Sequence, residues 1–108
     1  MDATFRIAAS SHAGTVRITP AGELDVAASR DLETAIAAAV ARAPAPAAVI
    51  VDLTDVTFLD STIIAVLVTG QKAAADNGIR LTVVNARGFV ERVLVIAGVY
   101  PHLRGSQP

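Results

Sequence analysis

The sequence predicts a single α/β domain in which helices cover a β-sheet. Short alternating or continuously apolar segments of strand length are separated by longer stretches with helical spacing. The composition is 53% apolar but only 4% aromatic, so the core has to be assembled from Ala, Val, Leu and Ile, as in helix-on-sheet architectures. The chain has 108 residues and no long linker, which suits one domain and is too short for two. The core is expected over about 4–103, with a frayed tail at 104–108.

Phe5, Ile7 and Ala9 alternate with Arg6 and Ala8, and Val16, Ile18 and Pro20 alternate again after Ser10-Ser11-His12-Ala13-Gly14. The pattern predicts a β-hairpin, with Gly14 supplying the positive φ of its turn and His12 exposed there. After Ala21-Gly22-Glu23-Leu24-Asp25, an Ala-rich stretch from Ala27 to Ala43 carries Leu32, Ile36 and Val40 at four-residue spacing. This is an amphipathic helix, N-capped by a residue between Asp25 and Ser29 and stopped by Pro44 and Pro46. Val49-Ile50-Val51-Asp52-Leu53 reads as a strand covered on both faces at the sheet centre, and Val56-Thr57-Phe58-Leu59 as further strand-like sequence.

A second helix is predicted over 62–76 and closed by Asn77-Gly78, where glycine takes the left-handed position. Ile79–Val84 is the next strand, giving a βαβ unit with a right-handed crossover. Phe89, Val90, Val93, Leu94 and Ile96 recur at helical spacing until Gly98, and Tyr100-Pro101-His102-Leu103 is expected to add a short edge element.

Charge and composition narrow the function. Ten acidic side chains stand against nine basic ones, and the arginines are dispersed, which disfavours a nucleic-acid surface. The absence of Cys excludes disulfides, thiolate zinc sites and cysteine nucleophiles. Met1-Asp2-Ala3-Thr4-Phe5-Arg6 matches neither a signal peptide nor a lipidation motif, and no apolar run approaches the roughly 20 residues of a membrane span, so a cytoplasmic protein is expected. Ser61 with His12 or His102 and Asp25 or Asp60 supplies the residue types of a hydrolase triad, but Gly-x-Ser-x-Gly is absent. Asp52, Asp55 and Asp60 fit no EF-hand pattern, and no glycine-rich phosphate loop is present. Neither an enzyme, a metal site nor a cofactor is expected.

The chain is organised around Asp60-Ser61-Thr62, where strand-like sequence hands over to helix. Ser61 is an N-cap candidate, and a helix N-terminus favours an added anion because its free N–H groups and its dipole present positive partial charge. Ile63 to Val68 is an unbroken apolar run, which wraps fully round a helix of about 3.6 residues per turn. Either Ile63, Val66, Leu67, Gly70 and Ala74 or Ile64, Leu67, Val68 and Ala75 forms the buried stripe. Both choices leave branched aliphatics near Ser61 for either a second layer of the domain or a partner.

Gly22-Glu23-Leu24-Asp25, Asp60-Ser61-Thr62 and Val90-x-Arg92-Val93-Leu94-x-Ile96-x-Gly98, in this order and spacing, resemble the STAS domain of bacterial anti-sigma factor antagonists over roughly Thr4 to Leu103. The resemblance implies a mixed β-sheet of about four to five strands flanked by helices, and a non-enzymatic regulator of transcription. It implies that Ser61 accepts phosphate from an anti-sigma factor that is also a serine kinase using ATP, and that a phosphatase resets the switch. The unphosphorylated form would capture the kinase and free the sigma factor. Asp60 matches the preceding carboxylate, Thr62 the neighbouring hydroxyl and Asp25 the loop acid. The expected partner surface comprises Asp25, Asp60, Thr62, Ile63 and Val66. Where the family usually continues with Gly-Leu this chain has Ile63-Ile64, and the alignment makes Ile64 the core residue and turns Ile63 outward beside Ser61. STAS-like proteins also serve as accessory subunits of lipid-transporting ABC systems, which is the alternative function.

Overall fold

A two-residue turn at Ala13-Gly14, both at positive φ (51° and 83°), closes the first hairpin in a computed structural model that describes residues 4–105. Because the turn is so short, the strands extend further than alternation alone indicates: β1 is Phe5–His12 and β2 is Thr15–Leu24, and His12 ends β1 rather than lying in a loop. The other elements are α1 (Val26–Val40), β3 (Ala48–Asp52), β4 (Asp55–Leu59), α2 (Ser61–Asp76), β5 (Arg80–Val84), α3 (Gly88–Ile96) and α4 (Tyr100–Leu103). The five strands form one mixed sheet, antiparallel at β1–β2 and parallel elsewhere.

β2 is the spine of this sheet. One edge pairs with β1 along its whole length; the other pairs first with β3 (Ile18 opposite Val51) and then with β4 (Ala21 opposite Asp55). Pro20 falls between those two partners, where its missing N–H removes no ladder bond. At Gly22 the chain passes so close to the Thr4 carbonyl that a Cβ would lie 2.2 Å from that oxygen, and φ is +92°. Only glycine fits there. Opposite the Gly22-Glu23 step, β4 carries one extra residue: Val56 faces Gly22 and Phe58 faces Glu23.

Val16, Ile18, Val49, Val51, Leu81 and Val83 point to the face covered by α1 and α2, which bury Ala28, Leu32, Ile36 and Ala39, and Ile63, Leu67, Gly70 and Ala74 against them. The two helices approach at Gly70, where a Cβ would stand 3.0 Å from Ile36 Cγ2. The alternate positions Arg17, Thr19, Ile50 and Thr82 face the other way and stay partly or fully accessible. α1 ends at Val40, three residues before Ala43, and Arg42 turns to donate to Ser11 Oγ (2.9 Å).

α2 and α3 end alike. Gly78 (φ +72°) and Gly98 (φ +77°) follow the caps, with Ile79 N–H bonded to the Ala74 carbonyl and Val99 N–H to that of Leu94. These are Schellman closures. The expected edge element at 100–103 is instead the short helix α4, which buries Tyr100 and Leu103; Pro101 is tolerated because it lies in the first turn. Of the expected frayed tail, Arg104 and Gly105 continue into a turn bonded back to Tyr100 and His102, and 106–108 lie outside the described residues, as do 1–3.

Asp52 is the buried charge that ties the sheet together. Its carboxylate accepts from Arg17 Nη2 on β2 (2.9 Å), from the Thr54 hydroxyl (2.6 Å) and N–H (3.0 Å) at the step between β3 and β4, and from Asn85 Nδ2 (3.1 Å) after β5. Burial alone would raise its pKa; the bonds from Thr54, Asn85 and Arg17 together outweigh burial and hold the carboxyl well below the usual carboxylate range.

Two outcomes follow. A carboxyl depressed in the folded state contributes stability that is complete above its ordinary value of 3.8 and is lost as pH falls below it. Thermal melts between pH 7 and pH 2 should therefore show an acid-side decline that is shallower in Asp52→Asn; an equal decline in both proteins would remove Asp52 as its source. Gly22→Ala should lower stability by roughly 1–3 kcal/mol in chemical denaturation. Gly14→Ala, at a position with nothing within 4 Å of the added Cβ, should cost less.

Candidate functional site

Leu24 and Leu59 stand opposite each other at the ends of the parallel strands β2 and β4. Asp25 and Asp60 come next, so adjacent strands about 4.8 Å apart deliver two helix N-termini side by side. Both acids are caps. Asp25 Oδ1 accepts from Ala27 N–H (2.9 Å), which settles the choice between Asp25 and Ser29; the Ser29 hydroxyl donates to the Val26 carbonyl instead.

At α2 the cap is Asp60 and not Ser61. Its backbone is extended (φ −116°, ψ −175°), and Oδ1 accepts from Thr62 N–H (3.0 Å), from Ile63 N–H (3.2 Å) and from the Thr62 hydroxyl. Ser61 is moved one place on, to the first helical position. The consequence is chemical: capping occupies the Asp60 carboxylate and leaves the exposed Ser61 hydroxyl with no hydrogen-bond partner among the described residues. The Ser61 N–H likewise has no acceptor among them. A hydroxyl free to react thus sits where two helix dipoles converge.

The surroundings are mixed. Thr62 is exposed but already committed to Asp60. Ile63 is fully buried in the core, which corrects the outward orientation expected from the family alignment; it offers no surface to a partner. The first of the two stripes is the one realised, with Val66 only half-buried in a groove of about 230 Å³ between α1 and α2 that it shares with Ile36 and Val40. Ile64, one turn on from Ser61, is half-buried.

Val26, in the first turn of α1, is 66% exposed. Phe58, two residues before Asp60, points away from the core and stacks on Phe89 of α3 (centroids 5.7 Å apart, 10° between planes). Val26 and Phe58, close in the chain to the two caps, are not among the expected site residues, and Phe89 joins them only through its stack on Phe58. Phe58 was readable as the outward neighbour of the apolar Leu59; Val26 and Phe89 carried no signal beyond the first-turn position that follows a cap. Among the described residues no hydrogen bond joins Ser61 to His12 or His102, and no group of three or more His, Asp or Glu residues is placed to hold a metal. No helix among them is long and apolar enough to cross a membrane.

A family model described as "Mlab, STAS domain" matches residues 5–103. The chain belongs to the STAS domain family. Among solved structures, this STAS domain is similar to an anti-sigma factor antagonist from Mycobacterium paratuberculosis at 27% identity and a TM-score of 0.79, covering 94% of this chain and 83% of that one. The unphosphorylated anti-sigma factor antagonist SpoIIAA aligns at 22% identity and a TM-score of 0.78, covering 89% and 84%. A sulfate transporter family protein from Wolinella succinogenes shares the fold at 16% identity and a TM-score of 0.73, covering 87% and 75%. No curated protein matches the chain.

The two roles of the triplet separate by mutation. Asp60→Ala should destabilise the domain by about 1–2 kcal/mol, the usual loss of an N-cap, whereas Ser61→Ala should stay within about 0.5 kcal/mol of wild type in urea denaturation. Equal losses would reverse the assignment of the cap.

Proposed function

We propose that this STAS domain is an anti-sigma factor antagonist that captures a protein partner at the Ser61 end of α2 and is switched off by phosphorylation of Ser61. The observation that carries the reading is the exposed, unbonded Ser61 hydroxyl at the start of a helix whose cap is supplied by another residue. The partner is an anti-sigma factor that is also a serine kinase; it binds the ATP, and its γ-phosphoryl group passes to Ser61 Oγ. The antagonist catalyses nothing. A phosphatase returns it to the capturing form.

The physics of the switch is local. A phosphate adds about −1.5 to −2 charges. The helix N-terminus accepts that charge, so the fold stays intact. The partner does not: docking would bury the phosphate against Val26, Ile64 and Val66 and beside the carboxylates of Asp25 and Asp60, where desolvation and like-charge repulsion both oppose contact. Thr62 and the two acids take part chiefly by holding the helix starts in place.

A second reading, the accessory subunit of a lipid-transporting ABC system, is favoured by one observation: the matching family model takes its description from Mlab and not from an antagonist. Such a subunit would grip an ATPase with the same apolar surface and need no phosphate.

Immobilised wild type and Ser61→Asp, exposed to host lysate, distinguish the two. Wild type should retain a kinase-fold anti-sigma factor that Ser61→Asp binds roughly tenfold or more weakly, and that protein with ATP should phosphorylate Ser61. A transporter ATPase held equally by both would overturn the switch and support the subunit.

A further inference from the structure

The β1 and β5 edges of the sheet are finished differently. At β5, Gln71 Nε2 donates to the Leu81 carbonyl (3.0 Å) and to the His102 carbonyl (3.1 Å), and α4 packs alongside. β1 packs against α1 on one face, but among the described residues no side chain bonds to its outer backbone groups. Glu23 N–H donates to the Thr4 carbonyl (3.0 Å) just beyond the Phe5–Gly22 end of the antiparallel ladder, which makes Phe5 and Gly22 a non-hydrogen-bonded pair. Alternation along the unbroken register then aims the backbone groups of Arg6, Ala8, Ser10 and His12 at β2. Those of Phe5, Ile7, Ala9 and Ser11 point outward, and their N–H groups have no partner among the described residues. The strand has no proline, no lysine and no bulge to discourage pairing.

We propose that this edge pairs with β1 of a second copy of the chain, antiparallel about Ala8, so that two sheets become one. The register is chosen by the side chains. Centring on Ala8 engages every outward N–H and C=O of Phe5, Ile7, Ala9 and Ser11 in both copies. It sets bulky Phe5 and Ile7 against small Ser11 and Ala9 on the helix side, and Arg6 against Ser10 on the other, with no like charges opposed.

Electrostatics agree with it. Asp31 of α1 lines the open groove beside Phe5 and Ile7, while Arg42 is held at Ser11 by its hydrogen bond (2.9 Å). Setting Phe5 opposite the second copy's Ser11 brings the second copy's Arg42 toward Asp31. A net charge of −1 adds little repulsion between copies. Phe5 lies opposite Gly22, toward the strand ends that carry Asp25 and Asp60, so the dyad turns the two Ser61 ends in opposite directions and leaves both uncovered.

Sedimentation equilibrium from about 10 μM to 1 mM tests the pairing, a range that brackets weak to moderate association. Wild type should reach twice the monomer mass, and hydrogen exchange should slow at Phe5, Ile7, Ala9 and Ser11 as concentration rises. Ala9→Pro, which removes one outward N–H and none from the β1–β2 ladder, should be monomeric. Ala8→Lys, at an exposed position, opposes two ammonium groups on the dyad and should weaken the dimer roughly tenfold or more, and mixing it with Ala8→Glu should restore the dimer. A wild type that stays monomeric throughout, or an Ala8→Lys variant that dimerises as wild type does, would overturn the proposal.

Discussion

The site depends on two parallel strands that end at the same level. Because Leu24 and Leu59 are opposite one another, the chain leaves β2 and β4 at neighbouring points and each exit begins a helix. An aspartate at each exit accepts from first-turn N–H groups, Ala27 at α1 and Thr62 and Ile63 at α2, which would otherwise stay unpaired. The arrangement that stabilises the helices thereby concentrates positive dipole ends on one patch and sets Ser61 within it. Two adjacent residues divide the roles: the carboxylate of Asp60 holds the helix, and the hydroxyl of Ser61, the proposed phosphate acceptor, has no hydrogen-bond partner among the described residues.

That level ending is itself maintained from a distance. β2 can serve two successive partners only if the chain steps across Leu53-Thr54 at a fixed point, and Asp52 fixes it by gathering donors from β2, from the step and from the connection after β5. Pro20 and Gly22 fit the same logic. One lacks a donor where no acceptor waits, and the other lacks a side chain where the Thr4 carbonyl leaves no room. The patch around Ser61 is therefore built on backbone geometry, with few side chains free to rearrange, which suits the proposed addition of a charge there.

Most of this fold was legible in the sequence because it rests on periodicity and on Gly and Pro punctuation. The hairpin, the three longer helices, the strand at 49–53 and the two glycine closures are all local signals, although only one face of that strand is fully covered, Ile50 on the other staying half-buried. What was not legible depended on tertiary context. Aspartate and serine are equally good caps, and only the point at which β4 stops, after an extra residue that alternation does not reveal, gives the cap to Asp60. The continuous apolar run from Ile63 to Val68 has no period, so nothing local distinguishes Ile63 from Ile64; alignment to the family pattern turned the wrong one outward, and packing on the sheet buries Ile63 completely. Tyr100-Pro101 looks like edge sequence until α4 is seen closing the β5 side of the core.

The central claim is that the Ser61 position takes a phosphate without disturbing the fold that presents it. The most direct measurement is a backbone amide NMR comparison of the domain with serine and with phosphoserine at position 61. Shift changes should be confined to the first turns of α1 and α2 and to the end of β4 at Phe58 and Leu59, with β3, β5 and the second half of α2 unchanged. Changes spread through the sheet, or loss of the hydrogen-bonded Thr62 and Ile63 amide signals, would show that the cap and the phosphate compete, and would contradict it.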